Sequence, residues 1–136
     1  LYRRLGRKHM KRGLQIALGV LSLIPLFFAG LGLVEGAGRF LPDGAPPALD
    51  NQYRYFSSIY LVVTFTIWWA IPNIERHKVP VRIIAGCIFL GGLARLYSHL
   101  TVGPGQPEQF AGMILELAAI LFIPWQAAVV KKEGVA

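Results

Sequence analysis

The chain has 136 residues, 54% of them hydrophobic and only 15% charged, with a formal net charge of +7. An ordinary soluble domain carries roughly 25% charged residues, so the composition supports a membrane protein over an ordinary soluble domain. The length suits one compact unit without an appended soluble module.

In chain order, the first segment is LYRRLGRKHM, with Met10 opening a second possible start at MKRGLQIALGV. Residues 1–9 read equally as a remnant, an alternative start or a genuine basic extension. The pattern imitates a secretory signal, but Gly13–Val34 is long for a signal core and ends in Glu35-Gly36-Ala37-Gly38. A retained first helix is therefore expected. Three more apolar runs follow, at Tyr55–Pro72, Val81–Leu100 and Phe110–Val130. Each of the four is close to the ~20 residues that a helix needs to cross ~30 Å of hydrocarbon. The predicted fold is all-α, a polytopic up-down bundle of four transmembrane helices. A basic segment, 1–12, precedes its single domain of residues 13–130, and a tail, 131–136, follows it.

Prolines and glycines mark the connections. Pro42, Pro46 and Pro47 interrupt the first, with Asp50 or Asn51 placed to cap the second helix. Pro72 and Pro80 bracket the second connection, and Gly103-Pro104-Gly105 with Pro107 makes the third non-helical. Pro25 and Pro124 fall inside spans and predict kinks. Tyr53, Tyr55, Tyr97, Trp68, Trp69 and Trp125 lie near span ends, as aromatic belts do. Cys87 is the only cysteine, which excludes an intrachain disulfide and CxxC chemistry. In IIAGCIFLGG it reads as a small buried thiol.

The positive charge is distributed by side. Arg3, Arg4, Arg7, Lys8, Lys11 and Arg12 precede the first span, Arg76, Lys78 and Arg82 surround the second connection, and Lys131 and Lys132 follow the last span. The other two connections are balanced or acidic. This positive-inside pattern predicts a multi-pass membrane protein with both termini and residues 72–80 in the cytoplasm. It accounts for the basic character through topology and membrane lipids rather than nucleic acid.

Two ionisable residues interrupt the apolar runs. Arg95 lies five residues before Leu100, and Glu116 six residues after Phe110. At about 1.5 Å per residue both sit roughly 7.5–9 Å from the same end of antiparallel neighbours. An unpaired charge there is costly, so the two are expected to pair. Ile88, Gly91, Gly92, Arg95, Ser98 and His99 share one face of the third helix, and Gln109, Gly112, Met113, Glu116 and Ala119 one face of the fourth. At a similar level come Glu35, Asp50, Arg54, Ser57 and Ser58. The expectation is a polar cluster of Glu35, Asp50, Arg54, Ser57, Arg95, Ser98, His99 and Glu116 in the outer half. Two roles remain open for it, a structural ion-pair network and a site for a small polar or amphipathic ligand such as a lipid headgroup or quinone.

Other chemistry finds no support. His9 and His77 lie at the cytoplasmic side and His99 at the other, which argues against bis-histidine haem ligation. No HExxH or comparable spacing points to a metal. Ser57, Ser58 and Ser98 have no base set beside them by sequence, and Gly32 and Gly36 form a GxxxG packing pair rather than a phosphate loop. No catalytic residue, cofactor or metal is therefore assigned.

The segments LDNQYRYFSSIYL and GGLARLYSHLTVGPGQPEQFAGMILELAAIL resemble an uncharacterised bacterial family of small four-helix membrane proteins, domain-of-unknown-function family 4345. The corresponding features are Asp50 and Arg54, Ala94-Arg95 with Ser98, the Gly/Pro loop, and Glu116. The resemblance covers roughly Met10 to Val130 and implies a fold but no established activity. A weaker, architectural resemblance links the chain to DoxX-like membrane proteins. Three functions stand open. The first is a non-catalytic accessory or assembly subunit packing against other membrane subunits or further copies of itself. The second is a binder or carrier of a small amphipathic ligand. The third is a membrane enzyme with Arg95 holding an anion and Glu116 acting as acid or base.

Overall fold

The computed structural model describes residues 2–133, with the side chains of residues 2–5, 7 and 133 excepted. Arg3, Arg4 and Arg7 as charges, and the end of the tail at 134–136, thus lie outside the described residues.

All described secondary structure is helical. Helix α1 is Tyr2–Glu35, α2 Pro47–Ala70, α3 Lys78–Thr101, α4 Pro107–Ala118 and α5 Phe122–Glu133. Short 3-10 turns occupy Ala37–Phe40, Ile71–Asn73 and Ala119–Leu121, and the last of these joins α4 and α5 into one span. Among the described residues, four segments are long and apolar enough to cross a membrane: Lys8–Glu35, Pro47–Asn73, Lys78–Thr101 and Pro107–Lys132. The protein is an all-α, multi-pass membrane protein.

Prolines set several of these limits. Pro47 stands at the first position of α2, where its missing N–H removes no helical bond. The helix therefore starts well before Tyr55. Pro80 falls in the first turn of α3 and is tolerated for the same reason, so α3 begins at Lys78 rather than after the proline. Neither Asp50 nor Asn51 caps α2: the cap position is Pro46, without a side-chain bond, and Asp50 lies inside the first turn. The start of α4 is better provided. Pro107 stands inside a reciprocal capping box in which the Gln106 N–H donates to Gln109 Oε1 at 2.9 Å and the Gln109 N–H returns to the Gln106 side chain.

The chain divides into two compact units, residues 17–71 and residues 1–16 with 72–136. Within the first, α1 presents a narrow buried stripe of Leu18, Ser22, Pro25, Ala29 and Gly32 at three- and four-residue spacings. Ser22 joins it to α2: its hydroxyl accepts from Trp68 Nε1 at 2.9 Å, and its carbonyl accepts from Thr64 Oγ1 at 3.2 Å. This bonding lies one residue from Leu21, whose carbonyl loses its helical donor to Pro25. A Cβ on Gly32 would lie 2.8 Å from Ser57 Cβ, so the glycine is what lets α1 and α2 approach there.

In the second unit, α3 packs on α4, the 3-10 turn and α5. Val81, Ile84, Ala85, Ile88 and Gly92 form its buried stripe. Gly92 sits at the closest approach, where a Cβ would lie 2.9 Å from the Leu117 backbone nitrogen and 3.0 Å from Glu116 Cβ. Gly91 and Gly112, assigned by helical phase to the contacting faces, have open space beside them. Cys87 is exposed on α3, not buried, because it lies off that stripe. At the other end of the unit, Gln126 of α5 is fully buried and donates through Nε2 to the carbonyls of Ile74 and His77, at 2.8 and 3.1 Å. Lys11 of α1 pairs with Glu75 of the same turn at 2.9 Å. The stripes are narrow, and large apolar residues such as Leu23, Phe27, Trp69, Leu90 and Leu121 are exposed, as lipid-covered helices require.

Two outcomes test this packing. Gly92→Ala forces a methyl against backbone and should lower stability in detergent by about 1–3 kcal/mol, while Gly91→Ala, facing open space, should leave the melting temperature unchanged or slightly raised. Equal effects at the two positions would displace Gly92 from the contact. Burial works to raise the Glu75 carboxyl, but the hydrogen bond and charge of Lys11 outweigh it, with the Arg76 charge adding, and hold it below the usual 4.5. Its contribution is therefore present above that value and lost as the pH falls through the lowered one. The stability difference between wild type and Glu75→Gln, followed by thermal melting, should be full at neutral pH and shrink in acid.

Candidate functional site

The eight candidate residues divide between the two units. Glu35, Asp50, Arg54 and Ser57 belong to residues 17–71, and Arg95, Ser98, His99 and Glu116 to the other unit.

In the first group the side chains serve the loop that follows α1. Gly36 has φ of +66°, a value that favours glycine at a helix end, and its N–H returns to the Gly32 carbonyl at 3.1 Å. Any Cβ there would run into the Asp50 carboxylate and the Arg54 guanidinium. Arg54 Nε donates to Asp50 Oδ2 at 2.8 Å, while its Nη1 donates to the carbonyl of Leu33 and, at 3.3 Å, to that of Val34. A cation on the last carbonyls of α1 satisfies groups that have no helical donor and opposes the negative end of the helix dipole. The other carboxylate oxygen, Asp50 Oδ1, accepts the Ala37 N–H at 2.9 Å, fixing the start of the 3-10 turn. Ser57 donates to the Tyr53 carbonyl at 2.8 Å and lies against Gly32. Glu35 is exposed and faces Arg39 at 3.6 Å. These four residues form a clasp that closes the α1–α2 connection.

The second group holds the intramembrane pair. Arg95 Nε lies 2.9 Å from Glu116 Oε2. The Glu116 side chain is 9% exposed and that of Arg95 43%, so the carboxylate is interior and the guanidinium reaches outward. Beyond the pair, α3 ends at Thr101 and the chain turns at Gly103, whose φ of +126° favours glycine. Between this turn and the start of α4 lies a cleft of about 330 Å³. Arg95, Ser98 and His99 line it from α3, and Gln109, Phe110 and Met113 from α4, with residues 102–105 closing its end. The His99 and Phe110 rings lie 5.5 Å apart across it. Glu116 is not among the lining residues.

Among the described residues, sequence reasoning missed the buried neutral polar residues Ser22, Thr64 and Gln126 and the buried Glu75. The signal of the neutral three was present, since hydroxyls and an amide inside apolar runs need partners as charges do. Among the described residues, no three His, Cys, Asp or Glu side chains come together as a metal site.

The family model described as "Domain of unknown function (DUF4345)" matches residues 13–126, a stretch that includes all eight candidate residues. No curated protein and no solved structure matches the chain.

The unequal exposure of the pair predicts an unequal cost. Arg95→Met strands an interior carboxylate and should lower stability by about 3 kcal/mol or more. Glu116→Leu leaves an arginine that can extend along its own stem toward polar surroundings, so it should cost less. The double variant should be more stable than the sum of the singles implies. Additive losses in a thermal-denaturation cycle would show that the two are energetically independent.

Proposed function

The chain belongs to the DUF4345 family, whose description assigns no activity, and from its own geometry we propose that it is a non-catalytic packing or assembly unit of a bacterial cytoplasmic membrane. One observation carries this reading. Each Asp, Glu and Arg candidate in a span closes on an opposite charge of its own unit, Glu35 with Arg39, Asp50 with Arg54 and Arg95 with Glu116. These groups fix helix ends and helix–helix register. What the spans offer outward is apolar side chains, Phe27, Trp69, Leu90 and Leu121 among them, and that surface suits lipid or another apolar helix.

The distribution of lysine and arginine supports an orientation with both ends and the Ile74–His77 turn toward the cytoplasm. An enzymatic role for Glu116 is disfavoured, because its carboxylate is engaged by Arg95 and does not line the cleft. The cleft itself favours a ligand-binding role as a second reading.

Gentle solubilisation into native nanodiscs followed by native mass measurement tests the packing role. The expected species is larger than the 15.0 kDa chain, as a homo-oligomer or with other membrane subunits. A folded chain recovered alone at 15.0 kDa would overturn it.

A further inference from the structure

The cleft between α3 and α4 is rich in hydrogen-bond donors. Arg95 uses Nε toward Glu116, and among the described residues its Nη1 and Nη2 meet no acceptor. Ser98 and His99 line the same wall from α3, and Gln109, whose Oε1 accepts the Gln106 N–H, lines the cleft from α4. Because Glu116 lies 2.9 Å from Arg95, the centre of the site is close to neutral, and it selects by donor geometry rather than by net charge. A group of at most one negative charge with several acceptor oxygens fits that set.

Depth narrows the choice. The α3 segment Lys78–Thr101 has 24 residues, roughly 36 Å at about 1.5 Å per residue, against a hydrocarbon core of about 30 Å. Its end at Thr101 therefore reaches the headgroup layer. Arg95 lies about a turn and a half inside, and an arginine stem is long enough to present its guanidinium at that layer. The cleft also carries exposed apolar side chains, Val102 at 86% exposure and Phe110 at half.

We propose that this cleft binds the phosphodiester headgroup of one membrane phospholipid, with Arg95 Nη1 and Nη2 directed at the phosphate and the acyl chains lying on the exposed apolar side chains of the cleft. A guanidinium fork matches phosphate oxygens in pairs. Its volume, about 330 Å³, lies at the small end of ligand pockets and accommodates a headgroup rather than a whole lipid. The proposal is independent of the packing role and survives its failure.

The test uses the full chain in mild detergent, stripped of lipid and returned to dioleoyl phosphatidylglycerol or dioleoyl phosphatidylethanolamine. Native mass spectrometry reads lipid retention, and thermal melting reads stabilisation. Wild type should retain one phospholipid per chain and melt higher with it. Arg95→Lys keeps a cation for Glu116 but gives up the fork, and should reduce retention roughly tenfold. Ser98→Leu fills the cleft and should abolish retention. If Ser98→Leu does not fold, Arg95→Lys decides alone. A parallel arm adds glycerol 3-phosphate without acyl chains. Stabilisation equal to that by lipid would assign the site to a soluble phosphate compound and overturn the lipid assignment. Equal phospholipid retention by wild type and Arg95→Lys would overturn the site itself.

Discussion

At Gly92 the backbone of α3 comes so close to α4 that even a methyl group would lie 2.9 Å from the Leu117 nitrogen. Much of the second unit depends on that proximity. In hydrocarbon, apolar side chains gain little by leaving lipid for one another, so close backbone packing and polar pairing must hold helices together. The missing side chain on α3 brings Glu116 within reach of Arg95, one turn further along. Packing and pairing then support each other. The approach shields the carboxylate, and the guanidinium compensates the charge that shielding would otherwise make costly.

The same economy recurs in the first unit by other means. There the close approach is at Gly32 and Gly36, and the polar partner is the Asp50–Arg54 pair of α2. Its targets are backbone groups at the end of α1 and the start of the following turn, not a side chain. A charged pair that engages backbone on both sides defines where one helix stops and the next segment starts. Neither member is left with a free charge to offer a substrate.

The sequence makes the helix count, the spans and the Arg95–Glu116 pairing legible, because length, hydropathy and depth along a helix are one-dimensional quantities. Family resemblance was legible too, through short segments around Arg54, Arg95 and Glu116. Rotation about the helix axis was harder to read. Gly91 and Gly92 are adjacent and both small, yet only Gly92 meets a neighbour, and Cys87 faces outward from a run that looks uniformly buried. In a membrane the outer face is as apolar as the inner one, so hydrophobic periodicity loses much of its power to tell them apart. Partners of neutral polar residues were equally hidden. Nothing local to Gln126 indicates that its amide reaches the carbonyls of Ile74 and His77, about fifty positions away in the chain.

The 3-10 turn at Ala119–Leu121 has a geometric consequence for that glutamine. Glu116 and Gln126 are separated by ten positions, which in a regular α-helix leaves them about 80° apart around the axis. Three residues wound at 3.0 per turn instead of 3.6 add about 60° of rotation and bring the two directions to within about 20°. The span thereby acts as two half-helices in matched phase, one giving its carboxylate to α3 and the other its amide to the turn before α3. Pro124 favours this arrangement, since it cannot donate to the Ile120 carbonyl and so relaxes the demand for regular winding there. A local irregularity of winding sets the angular register by which one rod serves both ends of its unit.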